Sequence, residues 1–178
     1  MAGTRTRAGG RSSRRPPEEL HYALGETSLG RILVARSGRG VVAVLFDESP
    51  GRLVEQLFDR HSTARILHRP DALEILLGQI IEEIERPTGC LDIPLDVRGT
   101  PFQVKVWRAL KAIPLGKTLT FADVARKIGA PRAVGAVGSG CTRNPLKVLI
   151  PCHRVLHSDG SLACMVRQGP LLTREGAR

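Results

Sequence analysis

The stretch Arg143-Asn144-Pro145-Leu146-Lys147-Val148-Leu149-Ile150-Pro151-Cys152-His153-Arg154-Val155 decides how the rest of the chain is read. Its apolar run, Val148 to Ile150, is stopped by Pro151, and a thiol, an imidazole and a guanidinium then follow in successive positions. That order suits a strand that ends by presenting a nucleophile at the floor of a site. A thiol reacts as thiolate, and at its reference pKa only about 3% is ionised at neutral pH. A histidine placed directly or through water can withdraw the proton, and Arg154 is expected to make the site electropositive. On composition alone the alternative is an inert cysteine in a core strand, since free cysteine is often buried.

Working back from this stretch, Pro131 to Cys141 reads as a helix of small residues, among them Gly135, Gly138 and Gly140, with Ala133, Val134, Ala136, Val137 and Ser139. Each glycine costs about 1 kcal/mol against alanine in a helix, so the surface they leave is expected to lie close against DNA backbone or the N-terminal α/β half. Before it, Thr120 caps a short helix with Asp123 three residues on, and Gly129-Ala130-Pro131 stops and restarts the chain, a helix-turn-helix pattern. Further back, Thr100-Pro101-Phe102-Gln103 is a capping-box start with proline at the first helical position; Phe102, Val106 and Leu110 recur on one side, with Trp107 beside them.

Arg98-Gly99 reads as the hinge to an N-terminal half. There, Leu20–Leu24 and Arg31–Ser37 lean to strand, and Gly38-Arg39-Gly40 turns into Val41–Phe46, a strand too apolar to face water on either side. Leu53, Val54, Leu57 and Phe58 recur at helical spacing after Pro50, and a second amphipathic helix begins near Asp71 and stops before Pro87. Leu91, Ile93, Leu95 and Val97 alternate with Asp92 and Asp96, predicting a half-buried strand that Pro94 places at an edge. His21, His61 and His68 are scattered and read as surface residues.

With 178 residues the chain suffices for one compact domain or two small ones, and 42% apolar content supports a core. The net charge of +10, from 27 basic and 17 acidic residues, favours a polyanionic partner. Aromatic residues are scarce, which disfavours a stacking platform for single strands. Residues 1–19 read as a basic arm carrying Arg5, Arg7, Arg11, Arg14 and Arg15; it either adds non-specific phosphate attraction or is simply solvated. Its Arg- and Ser-rich start looks like a transit peptide but lacks an amphipathic period, and no secretory or membrane-length apolar run is present, so a cytoplasmic protein without membrane contact is expected. Cys90, Cys141, Cys152 and Cys164 form no C-x-x-C and have no histidine at zinc spacing, so neither a disulfide frame, a metal nor another cofactor is expected.

The string from Asn144-Pro145 through Ile150-Pro151-Cys152-His153-Arg154-Val155 resembles the active-site segment of the O6-alkylguanine-DNA alkyltransferases, the methylated-DNA–protein-cysteine methyltransferases. Val97-Arg98-Gly99-Thr100-Pro101-Phe102-Gln103 and Val106-Trp107 are similar to the same family. Leu24-Gly25-Glu26-Thr27-Ser28-Leu29-Gly30 resembles its bacterial adaptive-response members. The resemblance implies an α+β fold: a small α/β, ribonuclease H-like domain at 20–97, then a mainly helical, winged-helix-like helix-turn-helix domain at 98–178. It implies a monomer that binds double-stranded DNA carrying alkylated bases and moves the alkyl group from O6 of guanine, or O4 of thymine, irreversibly onto its own cysteine. By matching residues, Cys152 is the acceptor, His153 the base acting through water, Glu175 the carboxylate that orients the histidine, and Asn144 the residue that holds the turn. Val155, Phe121 and Met165 would line the base pocket, while Thr120, Phe121, Arg132, Gly135, Ala136 and Arg143 would meet DNA.

Several residues depart from the family pattern. Its stack-filling arginine falls on Gly135, one tyrosine falls on Phe121, and the pocket tyrosine falls on Met165. The chain is also about four residues shorter between Met165 and Leu171, so the match at Glu175 spans a deletion. An alkyltransferase-like protein that recognises damage or regulates, with impaired transfer, is the second expectation.

Overall fold

The computed structural model describes residues 17–163 and 167–177. Four strands form the N-terminal sheet in the order β3-β2-β1-β4: β1 (Glu19–Thr27), β2 (Gly30–Arg36), β3 (Val41–Asp47) and β4 (Arg65–His68). β1, β2 and β3 run antiparallel, joined by short turns, and β4 lies parallel to β1 with Leu20 opposite Ile66. The fold is α+β, strands first and helices after.

The sheet is covered on both faces, as the apolar run of β3 requires. Helix α1 (Pro50–Arg60) buries Leu53 and Leu57 against Leu20, Leu33 and Leu45 on one face. Ser49 caps it by accepting a hydrogen bond from the Arg52 N–H. On the other face Ile32, Val34, Val44 and Phe46 meet Ile80 and Ile84 of α2 (Pro70–Glu85) and run on into Trp107, Leu110 and Leu146. The two halves of the chain therefore share one hydrophobic cluster. Near the junction, Arg98 donates to both carboxylate oxygens of Glu18 at 2.6 Å and also pairs with Asp96.

The predicted strand over Leu91–Val97 is replaced by an extended segment touching β3 at one bridge, Val41 to Leu95. Val41 donates to the Pro94 carbonyl and Asp96 donates back to the Val41 carbonyl, at 2.9 and 2.8 Å, and Pro94 has no N–H with which to prolong the ladder. The expected alternation is also reversed at its end. Asp96 is buried on Ser37 and Arg98, while Val97 is exposed. Gly40 makes this approach possible, because a side chain there would meet the Pro94 carbonyl oxygen at 2.4 Å. The sequence reading did not anticipate β4, whose four residues carry only two apolar side chains.

The second half holds α3 (Pro101–Lys111), α4 (Phe121–Lys127), α5 (Val134–Thr142) and α6 (Gln168–Arg174), with a two-stranded parallel pair, β5 (Leu119–Thr120) and β6 (Val155–Leu156). The Thr100–Gln103 and Thr120–Asp123 capping boxes are both formed, and α4, the Gly129 turn and α5 make the expected helix-turn-helix. α5 begins three residues later than the sequence suggested. Its small residues pack on α3: Gly140 lies against Val106, and the Trp107 indole N–H donates to the Gly140 carbonyl at 2.9 Å.

Candidate active site and nucleic-acid interface

The segment that carries Cys152 is not a strand. Residues 144–150 form a loop closed by Asn144, whose amide donates to the Ile150 carbonyl at 2.8 Å and whose carbonyl accepts from the Leu146 N–H at 2.9 Å. Asn144 is fully buried, and the Ile150 N–H donates to the Leu146 carbonyl inside the same loop. Val148 at the apex has φ of 71°, a left-handed conformation that strains a β-branched residue. The apolar run is thus bent rather than extended, because the asparagine offers the backbone a better set of partners than a ladder would. Cys152 then opens a 3-10 turn, Cys152–Arg154, which feeds β6.

Cys152 and His153 are each 1% exposed. The His153 Nε2 lies 2.7 Å from Oε1 of Glu175, whose side chain is 3% exposed. A carboxylate only accepts, so Nε2 carries the proton and Nδ1 keeps its lone pair. Nδ1 is buried and has no protein hydrogen-bond partner among the described residues. Arg154 donates through Nε and Nη2 to the two oxygens of the same carboxylate, at 2.8 and 2.9 Å, and through Nη1 to the Ile113 carbonyl at 2.5 Å. Burial would raise the Glu175 carboxyl, but the hydrogen bonds from His153 and Arg154 outweigh it and hold the group at about 2.

This geometry corrects one expectation. Arg154 does not leave the thiol in a net positive field, because its guanidinium is neutralised by Glu175. Its work is to hold the carboxylate ionised and oriented beneath the histidine. The shortened approach to α6 nonetheless brings Glu175 to His153. Gln168, which the sequence reading missed, is fully buried on α6, where its amide donates to the carbonyls of His153 and Val155 at 2.9 and 2.7 Å. Its side-chain carbonyl accepts from the Ala163 N–H at 2.8 Å. No motif announces it, since a glutamine in a polar, glycine-containing stretch reads as surface.

Val155 is fully buried behind the turn. Phe121 starts α4 and packs edge-on against His157, ring centroids 5.4 Å apart. Met165 lies outside the described residues. Thr120 serves as the cap of α4, and Arg132, Gly135, Ala136 and Arg143 are all exposed on the α5 side of the molecule. A side chain at Gly135 or Gly138 would meet nothing within 4 Å. The structure therefore brings Cys152, His153, Glu175 and Asn144 into one buried cluster and leaves Arg132, Gly135, Ala136 and Arg143 on an open surface, with Thr120 and Phe121 half-buried. No group of three or more His, Cys, Asp or Glu side chains suited to a metal occurs among the described residues.

A buried cysteine–histidine–carboxylate cluster set behind a helix-turn-helix defines a class, a DNA-binding fold with a candidate thiol site. Residues 101–177 match the family model described as the 6-O-methylguanine DNA methyltransferase, DNA binding domain. The chain is 34% identical over 143 residues to a methylated-DNA–protein-cysteine methyltransferase of Mycobacterium bovis, covering 80% of this chain and 82% of that protein. It is 38% identical over 160 residues to the bifunctional transcriptional activator/DNA repair enzyme Ada of Escherichia coli, covering 88% of this chain but 45% of Ada. The chain thus spans about half the length of the Ada proteins it matches. Among solved structures, Mycobacterium tuberculosis OGT in complex with DNA aligns with a TM-score of 0.72 and 31% identity, over 88% of this chain and 92% of that one. The chain belongs to the methylated-DNA–protein-cysteine methyltransferase family.

Proposed function

We propose that this protein repairs DNA by direct reversal, moving an alkyl group from O6 of guanine, or O4 of thymine, in duplex DNA onto Cys152. The observation that carries the reading is the hydrogen bond between His153 and the buried, ionised Glu175, which leaves the other ring nitrogen as a base in the same turn as the thiol. His153 Nδ1 takes the thiol proton through water, and the imidazolium that forms is stabilised by Glu175. The Cys152 sulfur then attacks the alkyl carbon, the carbon–O6 bond breaks with its electron pair on oxygen, and the proton passes to the guanine. The products are intact guanine and a thioether that does not turn over, so each chain acts once.

Asn144 holds the loop that presents the thiol, and Val155 and Phe121 line the pocket that receives the extruded base. Extrusion costs a few kcal/mol, which contacts from Thr120, Phe121, Arg132, Gly135, Ala136 and Arg143 to the duplex offset. Residues 20–97 and 98–178 serve as the two domains and the arginines ahead of Pro16 as an arm that adds phosphate attraction, whereas Glu18 and Glu19, expected in that arm, belong to the Arg98 ion pair and to β1; the protein works as a cytoplasmic monomer. No helix among the described residues is long and apolar enough to cross a membrane.

The open position at Gly135 and the missing hydroxyl at Phe121 favour a second reading, in which the chain recognises damage while transferring poorly. Digestion of a methylated duplex to nucleosides after incubation separates the two. Repair converts O6-methyldeoxyguanosine to deoxyguanosine up to one equivalent per chain. Recognition alone leaves the modified nucleoside untouched while the duplex is bound.

A further inference from the structure

Helix α6 joins two parts of the molecule through alternating side chains. Gln168 and Glu175, two helical turns apart, hold the nucleophile turn, as described above. The residues just before them, Arg167 and Arg174, reach the opposite way into the N-terminal sheet. Arg174 donates to the Ile84 carbonyl at the end of α2 at 2.8 Å, and also to the Ser28 hydroxyl; its guanidinium lies 3.3 Å from Glu85. Ser28, in the turn between β1 and β2, is fixed in place by Glu85, which accepts from its N–H and its hydroxyl at 2.7 and 2.8 Å. Arg167 donates to the carbonyl of Leu29 in the same turn and to Glu48 at 2.5 Å, with its guanidinium over the Phe46 ring. Gly30, at φ of 105°, leaves room for this arginine, since a side chain there would meet its Nη2 at 2.8 Å.

We propose that Arg174 and Arg167 are positioning residues for the reaction, through which the β1–β2 turn and the end of α2 hold Glu175 on His153. The inference rests on the reading of His153 as the base for Cys152. Glu175 is the C-terminal cap of a helix only seven residues long. So short a helix does not keep its own geometry in water, and its ends stand where their tertiary contacts put them. Arg167 fixes one end and Arg174 the other. The N-terminal domain thereby sets the orientation of the carboxylate. The other charged groups near this pair are Arg154 on the turn itself and, across the cleft it lines, Glu83 of α2 and Lys111 of α3.

The test uses the full chain and iodoacetamide, a small electrophile that needs no DNA and no base pocket. The rate of carbamidomethylation of the Cys152 peptide is followed against pH by mass spectrometry, which separates it from Cys90, Cys141 and Cys164. Loosening the carboxylate disfavours the imidazolium that pairs with the thiolate, so the midpoint of the profile moves up. For Arg174→Gln an upward shift on the order of half a unit is expected, in the direction of Glu175→Gln and smaller than it. Arg167→Gln gives a lesser shift, and Arg174→Lys restores at least half of the wild-type value. Val54→Ala, which thins the packing of α1 on the far face of the sheet, lowers the melting temperature without moving the midpoint. If Arg174→Gln fails to fold, Ser28→Ala removes the same contact from the other side and is expected to shift the midpoint in the same sense. An unmoved midpoint in a folded Arg174→Gln or Ser28→Ala protein, beside a moved one in Glu175→Gln, overturns the positioning role and leaves the clasp as packing. An unmoved midpoint in Glu175→Gln itself overturns the base assignment and the clasp together. Failure of DNA repair with these shifts intact counts against the proposed substrate alone.

Discussion

From Asn144 to Arg154 the functional side chains are buried, and those of Asn144, His153 and Arg154 are hydrogen-bonded to Glu175 or to backbone; in α5, immediately before, Gly135, Ala136 and Ser139 face solvent with little or no side chain. The difference shows what each region tolerates. Inside the cluster a single replacement strands a partner: loss of Glu175 leaves the Arg154 guanidinium buried without its counter-charge and His153 without the group that fixes its tautomer. On α5, replacing an exposed side chain with glycine strands nothing and costs about 1 kcal/mol of helix stability. The buried cluster is thus locked by its own hydrogen bonds, while the α5 surface proposed to face DNA is free to change. The departure from the family pattern at Gly135 falls on the tolerant side, whereas Phe121 starts α4 half-buried against His157.

The comparison can be broken at its strongest point first. Cys152→Ala is expected to abolish alkyl transfer while DNA affinity stays within a few fold, because phosphate contacts supply most of the affinity. Transfer of methyl to Cys141 or Cys164 in that variant would move the acceptor elsewhere. Glu175→Gln is expected to lower stability by on the order of 3 kcal/mol in urea unfolding, since it breaks a buried ion pair. The same group predicts the acid limb. With its folded pKa at about 2 against an ordinary 4.5, Glu175 contributes stability that is complete above pH 4.5 and lost as pH falls toward 2. Wild type should therefore lose stability across that window more steeply than Glu175→Gln, and parallel curves would contradict the assignment.

On the tolerant side, Gly135→Arg is expected to raise transfer from a matched duplex severalfold, a gain on the order of 1 kcal/mol from filling the vacated stack. Its effect on free O6-methylguanine should be nil, and a Cβ at Gly135 meets no neighbour within 4 Å. Equal gains on both substrates would show that the departure does not concern base extrusion. Gly138→Ala is the smallest change. It should stabilise the chain by up to about 1 kcal/mol, with no neighbour within 4 Å to resist it, and a loss of stability would mean that α5 packs more tightly than described.

How much of this was legible follows the same division. The capping boxes at Thr100 and Thr120, the buried β3 and the helix-turn-helix came from local rules, which act within a few residues. The Cys152-His153 pair stands openly in the chain. The loop that presents it was misread as a strand because Asn144 closes the loop with contacts two and six residues away, a choice that apolar periodicity does not record. Leu91–Val97 was misread because Pro94 limits pairing with β3 to a single bridge. Gln168 and the anchoring of α6 were invisible for a different reason. Their partners are brought together only by the folded chain, and Arg174 meets Ser28 at a separation of 146 residues.

The central claim is that the buried cluster still performs its chemistry although the surface before it has drifted. Intact mass after incubation with an O6-methylguanine duplex tests it most directly. The account predicts a gain of one methyl per chain, mapped to the peptide holding Cys152, which stops at one equivalent however much duplex is added. An unchanged mass, with the duplex bound and Cys152 still open to iodoacetamide, would contradict it.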